Sequence, residues 1–177
     1  MSFLKKPSKF VFHKEIMVTG FLNIEPGDSY VTFKVKKLGI LTVRGIVSGF
    51  DGQIYLDLQN MGNSFFNVCL TPVTIQTGIS KRDEHLRSME FFYVKKYPII
   101  CFKSSSVEKM NNLLRLKGTL QMLGTDIEVV IPMEYKDNIF KGAFSFNRKK
   151  YGLGKKYPGI LVGNTIDITI NCITTKK

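Results

Sequence analysis

Residues 113–134 read Leu-Leu-Arg-Leu-Lys-Gly-Thr-Leu-Gln-Met-Leu-Gly-Thr-Asp-Ile-Glu-Val-Val-Ile-Pro-Met-Glu. Their period is two. Leu114, Leu116, Leu120 and Met122 share one parity, and Arg115, Lys117, Thr119 and Gln121 share the other. After the break at Leu123-Gly124, Ile127, Val129, Ile131 and Met133 oppose Asp126, Glu128 and Glu134. Such alternation predicts strands with one dry face and one wet face. A Gly-containing break between two of them predicts a turn.

The same rhythm extends outward in both directions. Upstream, Val31, Phe33 and Val35 alternate with Thr32, Lys34 and Lys36, and Leu41, Val43 and Val47 with Thr42, Arg44 and Ser48. Downstream, Phe140, Phe144 and Phe146 oppose Lys141, Ser145 and Asn147, and Ile166, Ile168 and Ile170 oppose Thr165, Asp167, Thr169 and Asn171. Turn signals fall at Pro26-Gly27-Asp28, Asp51-Gly52, Met61-Gly62-Asn63 and Asp137-Asn138. The class is all-β, either a sandwich or a closed barrel of antiparallel strands. Gly45, Gly49, Gly118 and Gly142 lie on the inward parity, which suits barrel corners and leaves room inside. Inward parity slips from even (Phe66, Val68, Leu70) to odd (Val73, Ile75), which predicts a bulge at Pro72.

One stretch breaks the rhythm. Residues 78–92 carry Lys81, Arg82, Asp83, Glu84, His85 and Arg87, with Ile79, Leu86 and Met89 at helical spacing. A single short inserted helix is expected there, with Asp83 and Arg87 as an i,i+4 pair.

The chain has 177 residues, enough for one domain with a sizeable core. Its 44% hydrophobic content is ordinary for a globular protein, and its apolar runs are too short for a membrane-spanning helix. No apolar segment follows Lys5, Lys6 and Lys9 to make a secretory signal, so a cytoplasmic location is expected, or a periplasmic one if a signal has been removed. The net charge of +12 favours anionic partners: phosphates, nucleic acid or an acidic membrane surface. Cys69, Cys101 and Cys172 show no metal or disulfide spacing. They are read as reduced, buried thiols.

No catalytic motif is present. His13 and His85 are the two histidines, and neither sits in a nucleophile or zinc signature. Gly152-Leu153-Gly154-Lys155-Lys156 lacks the spacing of a phosphate loop. An enzyme using His85, with Ser88 nearby, is the weakest reading. A stronger alternative is single-stranded nucleic acid, because Arg148, Lys149, Lys150, Lys155 and Lys156 interleave with Tyr151 and Tyr157. The competing account of that segment is a solvated loop at a barrel rim. A third reading is an apolar cavity, since Phe33, Phe102, Phe140, Phe144 and Phe146 point inward and Phe91-Phe92 follow the helix.

Thr77-Gly78, Arg82-Asp83-Glu84-His85-Leu86-Arg87-Ser88, Phe91-Phe92, and Tyr97-Pro98 with Ile100, Phe102 and Ser104 form a signature. It resembles that of the YceI-like polyisoprenoid-binding proteins. Ser29-x-Val31-x-Phe33-x-Val35, Gly45-x-x-x-Phe50-x-Gly52-x-Ile54, Gly118-Thr119-Leu120, Asn147-Arg148-x-x-Tyr151-Gly152 and Val162-Gly163-x-x-Ile166-x-Ile168 extend the resemblance. It runs from about Leu22 to Ile170, with Leu22, Glu25, Asp28 and Lys37 departing from the family's first-hairpin residues.

The resemblance implies a single lipocalin-like antiparallel β-barrel of about eight strands over 21–177, preceded by a basic extension over 1–20 with Lys5, Lys6, Lys9 and Lys14. It implies an apolar tunnel for an isoprenoid-type lipid, a polyprenyl phosphate or an isoprenoid quinone. The expected lining is Phe33, Val35, Val43, Val47, Phe91, Phe92, Ile100, Phe102, Leu120, Val129, Ile131, Phe144, Phe146 and Ile168. Arg82, Asp83, His85, Arg87 and Arg148 are expected to hold the ligand's head group or to anchor the helix. A homodimer and peripheral contact with an acidic membrane follow from the same resemblance and the charge. No catalysis, cofactor, metal or specific nucleic acid is expected.

Overall fold

The computed structural model describes residues 19–177; the basic extension, apart from Thr19 and Gly20, lies outside them. Ten strands and one helix follow in order: β1 (Thr19–Ile24), β2 (Tyr30–Lys37), β3 (Leu41–Val47), β4 (Asp51–Asp57), β5 (Phe65–Leu70), α1 (Ser80–Arg87), β6 (Ile100–Met110), β7 (Leu113–Met122), β8 (Thr125–Lys136), β9 (Ile139–Asn147) and β10 (Val162–Lys176). All pairings are antiparallel. The ring β1-β4-β5-β6-β7-β8-β9-β10 closes through β1–β10, and the β2–β3 hairpin continues along β10. β1 and β2 are two halves of one wall strand, broken by a turn at 25–28, and β3 and β4 are two halves of the next. Counted that way the barrel has eight walls and is lipocalin-like, as the resemblance implies, which decides between the sandwich and the barrel that the period-two pattern leaves open.

The register follows the alternation. Leu116 and Leu120 are buried while Lys117, Gln121 and Glu128 are exposed. Leu123-Gly124 and Asp137-Asn138 each make a two-residue hairpin with positive φ at both positions. Gln121 and Asp126 face each other across the first, and Lys136 and Ile139 flank the second.

Several local expectations are corrected. Asp51-Gly52 opens β4 instead of forming a turn. Pro72 starts a single 3-10 turn, Pro72–Thr74, so β5 has already ended and Val73 points outward. Register shifts lie instead in β6, between Ser104 and Ser106 against β7, and in β10, between Val162 and Ile166 against β2. The helix covers only Ser80–Arg87, and turns carry the chain through the 88–97 segment. Gly49 lies in the break between β3 and β4, with φ of 76°. Gly45, Gly118 and Gly142 do not mark empty space. A side chain at Gly45 would strike the Phe33 ring, one at Gly118 the backbone of Lys103 and Ser104, and one at Gly142 the Met133 side chain.

Cys69 and Cys101 are also corrected. They are not free thiols: β5–β6 pairing sets them opposite one another, Cα atoms 4.1 Å apart, and they form a disulfide. Thirty-two residues separate them in sequence, so only the strand register brings them together. Cys172 stays a buried thiol, and burial pushes its pKa up to about 11. Closing a loop of 32 residues stabilises by roughly 3–4 kcal/mol in the chain-entropy account. Denaturant without reductant is therefore expected to expose one reactive thiol, Cys172. Reductant should raise the count to three and lower the melting temperature; three thiols without reductant would contradict the bridge.

Candidate functional site

The two ends of the barrel differ. At one end Leu22, Leu56, Val107 and Leu114 pack tightly and are 4% exposed or less. Toward the other end the inward side chains of the same walls, among them Phe102, Phe144 and Ile168, are only half-buried. Their uncovered faces border a cavity of about 530 Å³, floored by Phe140, Phe66 and Cys172. Among the described residues the packed end closes the barrel, so the expected tunnel is a pocket that opens toward the other end. Of the residues expected to line it, all except Val129 border the cavity; Val129 packs between the two core clusters. The lining is almost wholly aliphatic and aromatic, and its polar members cluster at the mouth: Lys36, Lys37, Arg82, His85, Arg148 and Tyr157.

The helix signature is mostly a clamp. Asp83 is buried and accepts hydrogen bonds from the Thr77 amide, at 2.9 Å, and the Thr77 hydroxyl. Arg82 donates to the Thr77 hydroxyl and carbonyl at 2.7 and 2.8 Å. Arg87 donates to the carbonyls of Val73 and Ile75, both at 2.8 Å. The expected Asp83–Arg87 pair is absent among the described ion pairs, because each side chain turns to the 73–77 segment instead. An eight-residue helix is marginal alone, and these bonds fix it beside β3, where Ile46 and Gln76 bridge. Asp83 and Arg87 do not border the cavity; Arg82 does.

Arg148 also has a structural occupation. It is 1% exposed, and its guanidinium donates to the carbonyls of Gly163, Leu153, Gly154, Tyr157 and Val162 at 2.6–3.0 Å. All five N–H donors are used. It holds the 152–162 loop in shape beside the mouth and has no donor left for a head group.

His85 stands differently. Its Nε2 lies 2.5 Å from Glu90 Oε2 and 3.1 Å from the Tyr157 hydroxyl. That hydroxyl donates to the same Glu90 oxygen at 2.5 Å, and Lys156 pairs with the other. Phe91 stacks on Tyr157, with ring centroids 5.2 Å apart. Glu90 therefore latches the segment after α1 to the 152–157 loop across the mouth. Sequence reasoning passes over Glu90; an acid five residues beyond His85 is the available signal.

Lys156, then the hydroxyl of Tyr157 and His85, hold the Glu90 carboxyl down at about 2, against an ordinary 4.5. A depressed carboxylate pKa stabilises the folded arrangement fully above about 4.5, and that stabilisation is lost as pH falls toward 2. Near-UV circular dichroism of the stacked tyrosine is expected to change over that acid range. In Glu90→Gln it should be altered already at neutral pH and flat with acid; an unchanged acid transition would exclude Glu90 as the latch.

The single-strand reading needs rings free to stack on bases. Tyr151 is 3% exposed, its phenol pushed up to about 12 by burial and the nearby Asp126, and Tyr157 is occupied by Phe91 and Glu90. With Tyr151 buried and Tyr157 engaged by its neighbours, neither ring is free to stack on a base.

A closed antiparallel barrel around an apolar cavity defines a ligand-holding barrel. The family model for the YceI-like domain matches residues 22–173, and the chain belongs to that family. It is 33% identical over 103 residues to Protein YceI of Salmonella arizonae, an overlap that covers 58% of this chain and 54% of that protein. The match thus spans about half the length of such curated relatives. Among solved structures it is similar to Burkholderia cenocepacia BcnA, with a TM-score of 0.80 and 17% identity, covering 87% of this chain and 100% of the other. The Campylobacter jejuni YCEI protein aligns at a TM-score of 0.69 and 24% identity, over 81% and 91% of the two chains. A polyisoprenoid binding domain from Saccharophagus degradans, implicated in plant cell wall breakdown, aligns at 0.66 and 12%, over 90% and 100%. These structural likenesses speak to the fold.

Proposed function

We propose that the protein binds a lipid with a long isoprenoid chain, the chain in the barrel and the head group at the mouth. The observation that carries this reading is the cavity of about 530 Å³ with its nearly continuous apolar lining, within the usual 300–1,000 Å³ of small-molecule sites. Such a ligand offers apolar surface, and each buried CH₂ is worth about 0.8 kcal/mol. A handful of prenyl units then offsets the costs of association. The polyisoprenoid-binding neighbour supports the same chemistry. A phosphate or quinone head would meet Arg82, Lys36, Lys37 and His85; Arg148, Asp83 and Arg87 are committed elsewhere. The protein holds and releases its ligand in this reading, without transforming it. The cytoplasmic expectation rests partly on reduced thiols. The Cys69–Cys101 bridge supports our proposal of a compartment that sustains disulfides.

The test is mass spectrometry of organic extracts from the purified protein, beside binding of a fluorescent prenyl analogue. Ile168→Trp, whose side chain would occupy the cavity, is expected to weaken that binding at least about tenfold with little change in melting temperature. Unaltered binding, or extracts without isoprenoid, would overturn the reading.

A further inference from the structure

Two loop tips stand side by side at the cavity mouth. The β2–β3 turn presents Leu38, Ile40 and Leu41, and the loop before β10 presents Ile160 and Leu161. Ile40 is 81% exposed and Ile160 74%, among the most exposed large apolar side chains described. The Leu38 amide donates to the Leu161 carbonyl at 3.2 Å, and Lys37 pairs with Val162, so the tips form one edge. Leu38 and Leu161 also border the cavity. The apolar track is therefore continuous from the pocket interior to solvent.

The charges around this edge have one sign. Residues 34–42 contain Lys34, Lys36 and Lys37 and no acid; residues 148–161 contain Arg148, Lys149, Lys150, Lys155 and Lys156 and no acid. Glu90, which reaches the loop from the α1 side, is neutralised by Lys156. Leu38 adds a conformational clue. It sits at φ of 51°, a region that a branched side chain enters at a cost and that Gly or Asn would occupy freely. An exposed leucine held there points to use of its side chain.

We propose that this edge is a membrane-docking surface for bilayers rich in anionic phospholipid. Ile40 and Ile160 enter the interface, and Lys37, Lys150 and Lys155 lie against the head groups. Aliphatic tips ringed by lysine match the two parts of such an interface, an apolar boundary under an anionic surface. Docked in this way, the barrel turns its mouth to the bilayer, and an apolar chain passes along Leu38 and Leu161 without crossing water. The proposal deepens the lipid-binding reading by fixing where the ligand enters and leaves, but docking is measured independently of uptake.

The experiment is sedimentation of the full chain with vesicles of phosphatidylcholine alone or mixed equally with phosphatidylglycerol. The unaltered protein is expected to bind the mixed vesicles, weakening with salt, and to bind phosphatidylcholine far less. The double variant Ile40→Asp, Ile160→Asp should lose at least about tenfold in partitioning, with an unchanged melting temperature and unchanged uptake of a water-dispersed prenyl analogue. Lys37→Glu with Lys155→Glu should lose a comparable factor at low salt. Three results would overturn the proposal: no binding of the unaltered protein to mixed vesicles, undiminished binding of the isoleucine variant, or tips that govern self-association alone. Binding to vesicles without prenyl uptake would uphold the docking surface and sink the cavity reading.

Discussion

Gly118→Phe is expected to leave the protein unable to fold, where an open tunnel would have accepted the ring. Gly118 is buried in β7 opposite Ser104, beside the bulge that shifts the β6 register. A Cβ built there runs into the Lys103 carbonyl oxygen and comes within 2.7 Å of Ser104 Cα and 2.8 Å of the Phe102 ring. Two of these are backbone atoms of the neighbouring wall, which cannot swing aside as a side chain can. Gly118→Ala alone should cost about 1–3 kcal/mol, read as a lowered urea midpoint, and a drop of about 2–12 °C in melting temperature. The phenylalanine should exceed that and yield insoluble or molten protein. A soluble Gly118→Phe melting near the unaltered protein would mean that β6 yields at the bulge, and that the glycine marks space after all. Ile168→Trp makes the contrast, because it enlarges a side chain that already faces the cavity.

The same glycine shows where the sequence stops being legible. Alternation reports which side of a wall a residue faces, so the parity of Leu116, Leu120, Ile131 and Ile168 follows from the order of residues alone. It does not report how far the next wall stands. Gly45, Gly118 and Gly142 share the inward parity with the cavity lining, yet each is pressed by a neighbour. Register is hidden for the same reason: nothing in the spacing of Cys69 and Cys101 says that β5 and β6 pair them. The helix signature is legible as a pattern but ambiguous in role. The signature leaves Asp83 and Arg87 as candidates either for a head group or for anchoring the helix, and their partners are Thr77 and the carbonyls of Val73 and Ile75. His85 and Glu90 meet Tyr157 and Lys156 from the far end of the chain. That latch depends on the closure of the barrel, which local sequence cannot encode.

Arg148 carries the second large effect, because it is a buried cation with no carboxylate partner among the described residues. Its stabilisation comes from five carbonyls that would otherwise face each other around the 152–162 loop. Burial lowers its pKa, but an arginine remains charged in that setting. In Arg148→Ala those oxygens lose their donors inside a site closed to solvent, a loss of about 3–5 kcal/mol by analogy with removing one partner of a buried charged network. Arg148→Lys should recover only a minor part: an ammonium has three donors and no planar fork to reach Leu153, Gly154 and Val162 together. Urea unfolding reads the stability. Trypsin reads the loop, because Lys155 and Lys156 should become rapid cleavage sites once the clasp is gone. The exposed neighbour Lys150→Ala should change neither. If Arg148→Ala kept both its midpoint and its protected loop, the carbonyls would have to be satisfied without the guanidinium, and the arginine would again be available to a ligand at the mouth.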